Sequence, residues 1–262
     1  PKPQNPTFTN ILIIINMETI FKSGTTDLAA VFKMADVSDK TKTHLTKVYG
    51  QLAVCTALCA AGAYLNASIL FAQGWISMIV VMIGLGYATW QVCDTYQPEQ
   101  HRMNWLMAVA FFKGMMIGPL LHLVAEVEPE ILINAVIYTS IMFASFTAVS
   151  LFSKRRSYLF LGGVISTIMT SLFWFTLGTW LFGFKSIALD NLQYLLITLL
   201  VACMYVVYDT QLIIERAETM NERDVPKHTL MLFIDLLDLF LKVLRVLLEL
   251  SDQKKKKKRN DD

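Results

Sequence analysis

The sequence predicts an all-α, polytopic membrane bundle of six spans plus a seventh helix that is either amphipathic or re-entrant. Three observations predict it. Hydrophobic residues make up 55% and charged residues 17% of the 262-residue chain, against about 45–50% and about 25% in soluble domains. Mean hydropathy is +0.48. Apolar runs near the ~20 residues that cross a bilayer recur along the chain, with short gaps and no internal repeat. The net charge of +2 offers no global field for nucleic acid.

The elements follow in order. Residues 1–47 form a polar N-terminal segment, in which Ile11–Ile15 is too short to span and lacks the basic flank of a signal peptide. Met17 is the expected natural start, with 1–16 extra. The bundle occupies 48–250. Its spans are expected at 48–70, 75–93, 104–125, 131–152, 158–183 and 191–214, followed by an apolar helix at 229–250. Residues 251–262 form a polybasic tail. Lys33, Lys40, Lys42 and Lys47 precede the first span, Lys154-Arg155-Arg156 follow the fourth, and Glu126-Val127-Glu128-Pro129-Glu130 holds no base. Because basic loops stay cytosolic, the N-terminus, the basic loop and the tail are expected in the cytosol, and the acidic loop opposite them. Both ends of 229–250 then prefer one side, so the helix either re-enters, lies on the surface or crosses against that preference.

That helix carries its ionisable residues on one stripe. At about 100° per residue, Asp235, Asp238, Lys242, Arg245 and Glu249 fall within roughly 80°, with His228 beside them. The stripe suits an interfacial helix with a wet face or a helix lining an interior cavity. Asp238–Lys242 and Arg245–Glu249 are placed to pair at i,i+4. Asp235 faces Leu239 at i+4 and needs a partner elsewhere.

Asp209, in Tyr208-Asp209-Thr210-Gln211-Leu212-Ile213, raises the same question inside the sixth span. A carboxylate in a membrane helix costs about 2.5–3.5 kcal/mol on insertion scales. Two carboxyls that meet lower this cost by sharing a proton, and they titrate as a unit. The competing reading puts Asp209 at the membrane edge.

RRSYLFLGG (155–163), YDTQLIIERAE (208–218), KHTLMLFID (227–235), KTHLTKVYGQLAVCTALCAAGAYL (42–65), MIGPLL (116–121) and the Lys-rich tail together resemble the Bax inhibitor-1, or TMBIM, family over about residues 17–258. Leu236-Leu237 and His122 depart from its usual pattern. The resemblance implies an endoplasmic reticulum membrane protein that suppresses cell death through a pH-sensitive calcium leak. It implies that Asp209 and Asp235 form the pH sensor and a transient calcium site, calcium being the permeant ion and no cofactor being needed. It implies a basic latch, for which Arg102 is the nearest match and Lys113 a rival. Membrane lipids and Bcl-2-family or calcium-handling membrane proteins are the implied partners.

Two other classes stand beside this reading. One is a non-conducting membrane regulator that binds cell-death or calcium-handling proteins. The other is an intramembrane aspartyl protease, against which the second aspartate stands in Phe233-Ile234-Asp235-Leu236 without the expected glycine. The four histidines show no metal-ligand spacing, and the four cysteines read as small apolar packing residues. Asn66-Ala67-Ser68 is a glycosylation sequon abutting a span. Lys254, Lys255, Lys256, Lys257, Lys258 and Arg259 read as a solvated tail attracting anionic lipid headgroups or a partner.

Overall fold

The computed structural model describes residues 37–68, 75–153, 158–182 and 192–261. The expectations for Ile11–Ile15, Met17, Lys33 and Lys154–Arg156 lie outside them. Seven helices are described: α1 (Asp39–Ser68), α2 (Trp75–Cys93), α3 (Glu99–Val127), α4 (Pro129–Phe152), α5 (Leu161–Phe182), α6 (Leu192–Thr219) and α7 (Val225–Asp261). Five of them, α1, α3, α4, α5 and α6, are long and apolar enough to cross a membrane, and α2 is a shorter apolar helix. Several helices outrun their apolar windows because hydropathy marks the lipid-facing length while the backbone ladder continues into polar sequence. Thus α1 begins at Asp39, where the side-chain oxygen of Ser38 accepts from the Thr41 amide at 3.4 Å, an N-cap.

α1 and α3 pack at very close range. A Cβ on Gly114 would lie 2.0 Å from the Cys59 carbonyl oxygen, and one on Gly62 would lie 2.3 Å from that of Phe111. Only glycine lets the two backbones approach this far. Pro119 interrupts the α3 ladder, since it has no N–H to offer the Met115 carbonyl four residues back. Asn66 of α1 supplies the missing donor through its side-chain amide. The sequon asparagine is therefore bound within the bundle.

Polar contacts place the two ends of the bundle. At one end, Glu218 of α6 accepts from the backbone N and the hydroxyl of Ser38 at 2.8 and 2.7 Å. At this end too, Arg102, in the first turn of α3, meets Asp224 just before α7. At the other end, the Ser251 hydroxyl donates to Glu128 Oε2 at 2.7 Å, and Lys255 pairs with the same carboxylate. α7 is continuous over 37 residues, roughly 54 Å at 1.5 Å per residue. It runs beside α3 from the Arg102–Asp224 contact to Glu128 at the α3–α4 turn.

One open alternative is thereby decided, and one expectation is corrected. α7 is an unbroken amphipathic helix and not a re-entrant one. The tail that continues it shares an end with Glu126–Glu130, where charge counting had put the two on opposite sides. The cause is direct attraction: Glu128 binds Lys255, and a count of loop charges carries no such term.

Candidate functional site

Asp209 lies ten residues before the last residue of α6, and Asp235 ten residues after the first of α7. Both are about 15 Å in from the Arg102 end along their helices. Around them the sequence supplies polar groups that an apolar helix must satisfy internally. Gln211 Nε2 donates to the Ser150 carbonyl at 2.9 Å, and Ser150 Oγ donates to the Val207 carbonyl at 3.0 Å. These bonds dock the end of α4 on α6. Tyr49 of α1 reaches Thr210 Oγ1 at 3.4 Å. With Thr210, Gln211 and Ser150 all buried, α6 is held in rotation between α1 and α4, which aims Asp209 at α7.

The carboxyl groups of Asp209 and Asp235 face each other across α6 and α7, near enough for each to act on the other's ionisation. Two carboxylates so close do not both ionise easily, so the arrangement favours one proton shared between them. Asp235 is 8% exposed, and its Oδ2 is buried without a partner. Asp209 is half-buried. The charged and titratable groups acting on the pair are Arg216 and Tyr205 on α6, Asp238 and Lys242 on α7, and Tyr49 on α1.

The latch candidates are placed elsewhere. Arg102 is buried, donating from Nε to the Val92 carbonyl and from Nη2 to Asp224 Oδ2, both at 2.7 Å. Asp224 in turn caps α7, accepting at Oδ1 from the Lys227 amide at 3.1 Å. Arg102 thus ties α2, α3 and the α6–α7 turn together. Lys113 lies near Cys59 on α1. Neither base is among the groups acting on the carboxyl pair.

The α7 stripe is divided rather than uniform. His228 and Asp235 are buried, Asp238, Lys242 and Glu249 half-buried, and Arg245 exposed. Asp238 pairs with Lys242, but Glu249 accepts from Gln253 Nε2 at 3.0 Å instead of pairing with Arg245. The residues from Lys254 to Arg259 are exposed, including Lys255 beside Glu128. His122 contacts Glu126 at 3.2 Å, one turn along α3.

Sequence reasoning missed a second buried pair. His44 Nε2 of α1 and His228 Nδ1 of α7 are 2.8 Å apart, and His228 is fully buried with Nε2 unpartnered. The partners are 184 residues apart, so no local spacing signals them. The polar Thr210-Gln211 step, in contrast, stood in the sequence next to Asp209. No cluster of three or more His, Cys, Asp or Glu side chains able to hold a metal ion occurs among the described residues.

A bundle of long apolar helices defines a polytopic membrane protein, here with a carboxyl pair between its last two described helices. Residues 41–252 match the family described as "Inhibitor of apoptosis-promoting Bax1", and the chain belongs to this Bax inhibitor-1 family. It is 36% identical over 229 residues to Bax inhibitor 1 of Bos taurus, covering 87% of this chain and 95% of that protein. Against Bax inhibitor 1 of Homo sapiens the identity is 34% over 230 residues, covering 88% and 95%. Against that of Arabidopsis thaliana it is 36% over 223 residues, covering 83% and 85%.

Proposed function

We propose that this chain suppresses programmed cell death from the endoplasmic reticulum membrane by leaking calcium under the control of the Asp209–Asp235 pair. The observation that carries the reading is the approach of the Asp209 and Asp235 carboxyls between α6 and α7, inside a membrane bundle of this family. While one proton is shared, the two carboxyls attract each other and hold the two helices together. When that proton leaves, two carboxylates face each other. Unit charges 4 Å apart repel by about 4 kcal/mol at an effective dielectric near 20, enough to favour separation of α6 from α7.

The opened pair then offers oxygen ligands to calcium as the transported ion. Two carboxylates supply at most four of the roughly 6–8 oxygens that calcium takes, so the ion keeps part of its water and passes on. Arg216 and Lys242 temper the charge left behind. The exposed Lys254–Arg259 segment attracts anionic lipid headgroups, and Bcl-2-family or calcium-handling membrane proteins are its proposed protein partners.

Purified protein in liposomes with a trapped calcium dye tests the reading. Flux above that of empty liposomes supports it. Absence of flux at every pH would favour the non-conducting regulator, and cleavage of a model membrane peptide would favour the protease.

A further inference from the structure

α5 starts late relative to its neighbours. The aromatic ring of Tyr208 lies against Gly162, the second residue of α5, such that a Cβ there would approach the ring to 2.8 Å. α4 ends at the same level, where Ser150 binds Val207. α6, however, continues from Tyr208 for eleven more residues, to Thr219. Among the described residues, one face of α6 is therefore incompletely covered: Tyr205, Tyr208, Asp209, Leu212 and Arg216, at helical i,i+3,i+4 spacing, are all half-buried.

A cavity of about 290 Å³ opens on this face, walled by Leu159, Gly162 and Ser166 on the α5 side and by Tyr205 and Tyr208 of α6. It has room for several waters, and its walls carry the polar groups that water needs. Tyr205 lies one helical turn from Asp209 and feels the charge of Asp209, Asp235 and Asp238. Ser166 donates its own proton to the Gly162 carbonyl at 2.5 Å, which leaves its oxygen free to accept. The rim residues Gly163 and Ser166 are exposed.

We infer that this hydroxyl-walled chamber between α5 and α6 is the hydrated vestibule of the aspartate pair, through which water, protons and a partly hydrated divalent cation reach Asp209. The inference rests on the calcium-leak reading for its cation and on geometry alone for its water access. The three hydroxyls and their waters complete the oxygen shell that two carboxylates leave short. Gly162 sets the width, because any side chain there enters the chamber or displaces the Tyr208 ring.

Thiol accessibility tests it without relying on flux. Cys55, Cys59 and Cys203 are buried and Cys93 is exposed, so Cys93→Ser is the background. Asp209→Cys and, as a second reporter in the chamber wall, Tyr205→Cys are each treated with a small cationic methanethiosulfonate in liposomes. The expected result is labelling of both reporters, slowed on the order of tenfold by Gly162→Leu or Ser166→Trp. Gly178→Leu, near the far end of α5 with open space at its Cβ, leaves the rate unchanged. Reporters that stay unlabelled in folded protein, or that label equally fast with both chamber-filling substitutions, overturn the inference. If wild-type liposomes pass no calcium, the leak reading fails while the labelling result stands. If they do pass calcium, Ser166→Trp lowers the flux severalfold, and an unchanged flux counts against the vestibule.

Discussion

Replacing Arg102 with methionine keeps an apolar stem and deletes the guanidinium. The Arg102 side chain is 7% exposed and that of Asp224 14%, so water replaces the lost donor poorly. The substitution leaves one carboxylate without its counter-charge and the Val92 carbonyl without its 2.7 Å donor. Breaking a buried ion pair from one side costs about 3–5 kcal/mol. Asp224 keeps its bond to the Lys227 amide, which places the expected loss near the lower bound. Asp224→Ala removes the pair and the α7 cap together, adding about 1 kcal/mol. The double variant Arg102→Met with Asp224→Leu should lose less than the sum of its singles, because neither charge is left stranded. Thermal unfolding in detergent, followed by intrinsic fluorescence, reads these differences. Arg102→Met should also keep the pH profile of calcium flux, since Arg102 does not touch the carboxyl pair. A single variant as stable as wild type, or strictly additive losses, would refute the reasoning.

Three other outcomes follow from the fold. Gly114→Ala should prevent normal assembly, since its Cβ meets backbone at 2.0 Å, whereas Gly50→Ala, with nothing within 4 Å, should be neutral or mildly stabilising; expression and size-exclusion profiles compare them. Lys255 and Ser251 hold the Glu128 carboxyl below the usual carboxylate range. A depressed carboxyl stabilises above its unfolded value, about 4.3, and loses that contribution as pH falls through the folded one. The α7–Glu128 contact should therefore hold at neutral pH and loosen only in acid, and Glu128→Gln should remove this response, as read by spin-label distances between the exposed positions 130 and 252. Cysteines introduced at Glu130 and at Lys257 should label from the same side of the membrane; labelling from opposite sides would contradict the shared end of α7 and the α3–α4 turn.

The helical bundle was legible because seven apolar stretches leave few other ways to bury backbone polar groups in lipid. Asp209 and Asp235 were legible because each is a carboxyl in an apolar helix with no base one turn on. Their surroundings were less so. Arg102 was sought beside the carboxyl pair, but its partner Asp224 lies in a polar turn where an acid raises no question. Arg245 and Glu249 share the angular stripe of Asp235, yet α7 is 37 residues long, and one angular face meets protein near Asp235 and solvent near Arg245. The side taken by the tail was misjudged because a loop-charge rule weighs each segment alone, and Glu128 with Lys255 is a contact between two of them. His44 and His228 meet only once α1 and α7 are packed.

Calcium flux into liposomes, measured across pH for Asp209→Asn, Asp235→Asn and the double variant, tests the acid pair most directly. Asparagine keeps the shape and removes the ionisation. If the pair is the sensor, each single variant should lose most of its pH dependence, whatever its basal flux, and the double variant should match the singles because the two carboxyls act as a unit. Wild-type pH profiles in both single variants would contradict the account and move attention to the buried His44–His228 pair.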